Sequence, residues 1–137
     1  MTEEAIMTQK PETEFQRATP VLRSGDYSLS RSYYTEKLGF SVIEEGGDPP
    51  RFGIFRRGRS FIFVNAWQGP PSPDTKGWDA YLHVAGLPAL YAEYQAVDAG
   101  ICRAMEETVY GMREFEVRDP DGNVICFGED TDPPKSA

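Results

Sequence analysis

The side chains most able to do chemistry are few. The sequence has one histidine, His83, and two cysteines, Cys102 and Cys126. A thiol nucleophile needs a neighbouring base to take its proton, and His83 is the one imidazole available. Neither cysteine belongs to a C-x-x-C pair, and both sit in alternating apolar segments, where a buried free thiol is the ordinary expectation. Acid–base chemistry needs convergent carboxylates, but in the Glu44-Glu45 pair adjacent strand residues face opposite ways. The sequence contains no G-x-S-x-G elbow, P-loop or Gly-rich dinucleotide fingerprint. The larger resource is aromatic. Phe52, Phe55, Trp67, Trp78, Tyr81, Tyr110 and Phe115 could line a groove that holds a flat ligand with a few polar anchors.

Charge narrows the partners. Among 137 residues, 22 acids outweigh 14 bases, for a formal net charge of −8. Binding to nucleic acid needs clustered cations that displace counterions from phosphates, so that class is set aside. An acidic body favours a cationic or neutral small molecule. No apolar run approaches the roughly 18 residues of a membrane span. The N-terminus lacks the basic-then-apolar pattern of a secretory leader, so the expected compartment is the cytoplasm, with no membrane partner.

These residues need a scaffold, and the sequence writes one twice. Residues 1–17 read as a flexible acidic tail, 18–129 as a single domain, and 130–137 as a second flexible tail. In the first module, about 18–65, ATPVLRSG reads as a strand and DYSLSRSYYTEKLGF as a helix. Asp26 is its N-cap, Leu29, Tyr33 and Leu38 lie near one face, and Gly39 is its stop. SVIEE is the next strand, and RFGIFRRGRSFIFVN reads as two strands about Arg57-Gly58. The Pro-rich AWQGPPSPDTKG leads to the second module, about 79–129. There DAYLHVAG, LPALYAEYQAVDAG, ICRAME and REFEVRDPDGNVICFGE repeat the order strand, helix, strand and two-strand hairpin. Laying Gly58 over Gly122 sets Phe61-Ile62-Phe63 over Ile125-Cys126-Phe127.

ATPVLRSGDYSLSRSYYTEKLGF and YGMREFEVRDPDGNVICFGE, supported by GLPALYAEY, resemble the vicinal oxygen chelate superfamily. That superfamily includes glyoxalase I, extradiol dioxygenases and bleomycin-resistance proteins, and the chain looks most like the last group. The resemblance implies an α+β fold with two βαβββ modules forming a half-open curved mixed sheet. It also implies a homodimer with ligand pockets built by both chains. Enzymes of the superfamily hold a divalent metal with His, Glu or Gln side chains from four strands. Strand alternation and the internal repeat put Thr19, Ile62, Asp79 and Cys126 at those places, with Asp79, Tyr81 and His83 on the cup side of one strand. Two donors fall short of the three or four that a metal site needs. The expectation is therefore no metal, no cofactor and no catalytic residue. A displaced metal around Asp79, His83 and Cys126, serving a lyase or dioxygenase, is the alternative.

The function so implied is metal-free binding and sequestration of a bleomycin-type antibiotic, a small cationic or aromatic molecule. Phe52 and Tyr110 stand where the bleomycin-resistance proteins carry aromatics that sandwich the drug's flat bithiazole rings. Tyr110 departs from the usual Trp at its position. The expected ligand-binding residues are Phe52, Trp67, Asp79, Tyr81, His83, Tyr110 and Phe115. Arg51, Arg56, Arg57 and Arg59 crowd the first hairpin, and any that face the pocket oppose a cation. Alternation sets Arg57 and Arg59 at a solvated tip.

Overall fold

The computed structural model describes residues 12–73 and 77–131. Most of both expected tails, residues 1–11 and 132–137, therefore lies outside the described residues. The first module runs β1 (Val21–Arg23), α1 (Tyr27–Ser32), β2 (Ser41–Gly46), β3 (Phe52–Arg57) and β4 (Ser60–Asn65). The second runs β5 (Ala80–His83), α2 (Leu87–Ala96), β6 (Ile101–Glu107), β7 (Met112–Arg118) and β8 (Val124–Asp130). Each module forms its own four-stranded sheet, ordered β1-β4-β3-β2 and β5-β8-β7-β6. In both, the first strand lies parallel to the last and the other pairs are antiparallel. This is the duplicated βαβββ, α+β architecture that the sequence predicts. No helix among the described residues is long and apolar enough to cross a membrane.

The first helix starts where expected. Asp26 caps it, its carboxylate accepting from the Leu29 amide at 3.2 Å. The continuation differs, because Tyr33–Lys37 form a π-helical turn closed by Leu38 N–H on Tyr33 C=O. That wider turn rotates both Tyr33 and Tyr34 inward, and the buried stripe becomes Tyr27, Ser30, Tyr33, Tyr34 and Leu38. Leu29, expected on that stripe, is 53% exposed. Gly39 then reverses the chain at φ +78°, and a Cβ there would press on the Arg57 guanidinium.

One continuous core joins the modules, running from Leu22, Phe55, Ile62 and Val64 to Phe115, Val117, Ile125 and Phe127. Tyrosine hydroxyls stitch across it. Tyr33 donates to Ala99 C=O at 2.7 Å, Tyr94 to Leu38 C=O at 2.8 Å and Tyr34 to the Asp119 carboxylate at 2.6 Å. Burial pushes the Asp119 carboxyl up, and the hydrogen bonds from Tyr34 and Asn123 offset this only in part. Tyr34→Phe removes a bond to that buried group while keeping the ring, so a stability loss of about 1–3 kcal/mol is expected in urea unfolding. An unchanged midpoint would show that this cross-link contributes nothing.

The burial of Ile62 corrects one sequence expectation. Its side chain is 1% exposed in the core and cannot point into a cup. Phe63 is the counterpart of Cys126: Val21 pairs with Phe63 and Tyr81 with Cys126, beside the core-facing pairs Leu22–Val64 and Leu82–Phe127 respectively. The first turn holds two residues between paired Arg57 and Ser60, the second five between paired Arg118 and Val124. Aligning the turn glycines therefore slips a strand by one residue and exchanges its faces.

Candidate ligand-binding faces

The helices cover one side of each sheet, and alternation leaves the other side open. On the first sheet the registers bring Val21, Phe63, Ile54 and Glu44 into one row, with Phe61 and Arg56 on one flank and Arg23, Asn65 and Phe52 on the other. Phe52 stacks flat on Trp67, centroids 5.5 Å apart and planes 3° apart, and meets Phe63 edge-on at 5.4 Å. Trp67 is placed by its amide, which donates to the Asn65 side chain at 2.9 Å. It leaves 52% of its surface open. Arginines rim this aromatic floor. The Arg17 guanidinium lies 3.9 Å above the Phe61 ring, and Arg56 is farther off the same ring. Arg57 is turned away, bidentate on Glu93 and bonded to Leu38 C=O.

The open face of the second sheet has the opposite character. One row reads Arg103, Glu116, Cys126, Tyr81 and the next Glu106, Glu114, Gly128, His83. Glu114 is fully buried. Its carboxylate accepts from the Tyr81 hydroxyl at 2.8 Å, the Tyr110 hydroxyl at 2.7 Å and Arg103 Nη2 at 2.9 Å. Burial alone would raise its pKa, but those three donors bring it below the ordinary glutamate value. Arg103 also pairs with Glu106 at 2.8 Å and Glu116 at 2.7 Å, and Glu116 accepts from the Trp78 indole at 2.9 Å. Arg103 thus stands against three glutamates, and although Arg118 follows Glu116 on the same side of β7, Asp79 beside Val124 keeps this face acidic overall. Tyr81 sits between Trp78 and His83, with ring centroids at 4.9 and 5.0 Å. Beneath them burial pushes the Cys126 thiol up to about 12, which makes it a poor nucleophile.

Tyr81 reaches Glu114 by lying across Gly128, where an added Cβ would overlap its hydroxyl. Gly128→Ala should therefore free Tyr81 from Glu114 and lower the melting temperature by several degrees. The check is a thermal melt of this variant beside Tyr81→Phe. Full additivity in the double variant would show that the two positions are uncoupled.

The predicted residues fall into groups. Phe52 and Trp67 meet on the first open face; Tyr81, His83 and Tyr110 share the second. Asp79 stands just before β5, where its carboxylate accepts from the Val124 amide at 2.8 Å and fixes the start of β8. Phe115 is a correction. It is fully buried on the helix side, packed against Tyr91, Tyr94 and Phe127 at 5.0, 6.0 and 5.3 Å, and lines no open surface. Its strand neighbours Glu114 and Glu116 occupy the open face instead. Sequence reasoning missed them and Arg103, although the alternation in R-E-F-E-V-R sets both glutamates opposite Phe115 and Val117.

The side chains present do not fit the superfamily's metal. Phe63 holds the place in the first sheet that Cys126 holds in the second, Asp79 is held by a backbone amide, and Glu114 and Glu116 are already engaged by Arg103, the two tyrosines and Trp78. Among the described residues no three His, Cys, Asp or Glu side chains converge as metal ligands, and Asp79, His83 and Cys126 form no such group.

Residues 16–127 match the profile of the glyoxalase/bleomycin resistance protein/dioxygenase superfamily, and the chain belongs to that family. No curated protein matches the sequence. Among solved structures, it is similar to the bleomycin-binding protein of bleomycin-producing Streptomyces verticillus, solved with copper(II)-bleomycin. Identity is 28%, with 84% of this chain and 96% of that chain covered and a TM-score of 0.66. It is similar in fold to the bleomycin resistance determinant encoded on transposon Tn5, at 24% identity, 85% and 98% coverage and a TM-score of 0.70. A lactoylglutathione lyase from Agrobacterium tumefaciens shares the fold at 16% identity, 88% and 96% coverage and a TM-score of 0.65.

Proposed function

We propose that this protein is a cytoplasmic, resistance-type holder of a planar, cationic small molecule of the bleomycin type, and that it binds without chemistry. One observation carries the reading: a single chain presents two open sheet faces of opposite character. One is aromatic, built on Phe52 stacked against Trp67, with Arg23 and Arg56 against Glu44. The other is tyrosine-lined and acidic, built on Glu114, Glu116 and Glu106 around Arg103. Opposed charge favours docking the first face of one copy onto the second face of another, which makes a homodimer with two composite clefts. In each cleft a flat ring system stacks between Phe52 with Trp67 on one wall and Tyr110 on the other. The ligand's cation lies toward Glu106 and Glu116, the carboxylates nearest solvent. The 28% identity to a bleomycin-binding protein supports this ligand class.

The test uses metal-free bleomycin as probe. Titration followed by tryptophan fluorescence and calorimetry should show saturable binding, and mass spectrometry should recover the drug unchanged. Absence of saturable binding, or a changed mass after incubation, overturns the reading.

A further inference from the structure

A cavity of about 500 Å³ lies between the modules, where the β3–β4 turn approaches the end of β5 and the start of α2. Neither Trp67 nor Trp78 lines it, and it meets the second open face only at His83. Its floor is apolar: Phe40, Leu82, Leu90, Tyr94 and Phe127. Its rim carries Arg57, Arg59 and His83. The charges near it balance except in one place. Arg57 is held bidentate by Glu93 at 2.8 Å through both nitrogens. Glu129, the other carboxylate at this end of α2, accepts from the Gly86 and Leu87 amides at 2.6 and 3.2 Å and pairs with Arg113 at 3.5 Å. Arg59 is exposed and makes no ion pair among the described residues.

Arg59 also stands on the wall shared with a second cavity of about 500 Å³, with Ser60, Leu82 and His83. That cavity adds Arg17, which lies over Phe61, and no carboxylate among the described residues lines it. In a chain of formal charge −8, an unpaired guanidinium above an apolar floor is a local reversal of sign. It suits a ligand with a single anionic head and an apolar body. We infer that this inter-module crevice is a second binding site, one that takes a small amphipathic monocarboxylate with its carboxylate on Arg59 and its hydrocarbon over Leu82, Leu90 and Phe127.

The probes are octanoate, octylamine and 1-octanol, added to the full chain and read by amide NMR. Octanoate should shift the Ser60, Gly86, Ala89 and Leu90 signals saturably. The amine should not, and the alcohol should bind about tenfold more weakly or worse. Arg59→Glu should weaken octanoate by at least about tenfold. Ala89→Phe, on an exposed helix position lining the cavity, should block it while the circular dichroism and melting temperature are kept. Tryptophan fluorescence should stay unquenched, which separates this site from the aromatic faces. Equal shifts by octanoate and octylamine, shifts confined to Trp67 and Trp78, or no saturable shift at all would each overturn the inference.

Discussion

Glu114→Ala is expected to lower stability by about 3 kcal/mol, a fall of about 10 °C in melting temperature, and to remove tight binding of metal-free bleomycin. The physical cause is the number of groups that depend on one carboxylate. Tyr81 and Tyr110 both donate to it, and Arg103 holds it with an ion pair at 2.9 Å inside the sheet face. Its loss strands the half-buried Tyr81 hydroxyl and releases the Tyr110 ring from the place where it would stack. Glu114→Gln keeps the shape and one acceptor, so its cost should be smaller. The pH dependence has a definite sign. The donors hold Glu114 below the ordinary value of 4.5, so its contribution is complete above that pH and is lost as pH falls through the lower folded-state value. The stability gap between the native protein and Glu114→Gln should therefore be widest near neutrality and close in acid. A gap that is constant with pH, or a Glu114→Ala protein as stable as the native one, would show that the carboxylate is incidental.

Phe52→Ala and Trp67→Ala are expected to weaken the same ligand by about tenfold to a hundredfold each, the scale of one lost stacking surface. The two rings already lie parallel, so if they form the proposed wall, little ordering is left for the ligand to impose. The double variant should lose less than the sum, because each ring positions the other. Phe52 is half-buried against Phe63, so Phe52→Ala also costs stability, about 1–2 kcal/mol, which a denaturant melt measures separately. Unchanged affinity in both single variants would place the ligand elsewhere.

The duplicated βαβββ order was legible because each element carries its own period and its own stop: Asp26 as cap, Gly39 and Gly122 as reversals, and two hairpins in matching places. The open faces were only half legible. Alternation correctly set Tyr81, His83 and Cys126 on one side of their strands. It failed for Ile62 because the two hairpin turns differ in length, a difference that glycine alignment hides and hydrogen-bond register reveals. Phe115 looked like a groove aromatic because residue type says nothing about which side of β7 it takes. Glu114 went unnoticed for the converse reason. A glutamate inside a strand reads as a solvent-facing residue until Tyr81, Tyr110 and Arg103, from three separate segments, are seen to converge on it. The π-helical turn that exposes Leu29 likewise depends on tyrosines finding partners in the other module, which no local pattern encodes.

The composite cleft can be tested by mixing two deficient proteins. Phe52→Ala damages the first face and Tyr110→Ala the second, so each alone should lack tight sites for metal-free bleomycin. When the two are unfolded together and refolded, a cleft that joins the first face of one chain to the second face of its partner must reappear intact in mixed dimers. About a quarter of all clefts should then bind with native affinity in a calorimetric titration. A mixture that binds no better than its two components would contradict a pocket shared between chains.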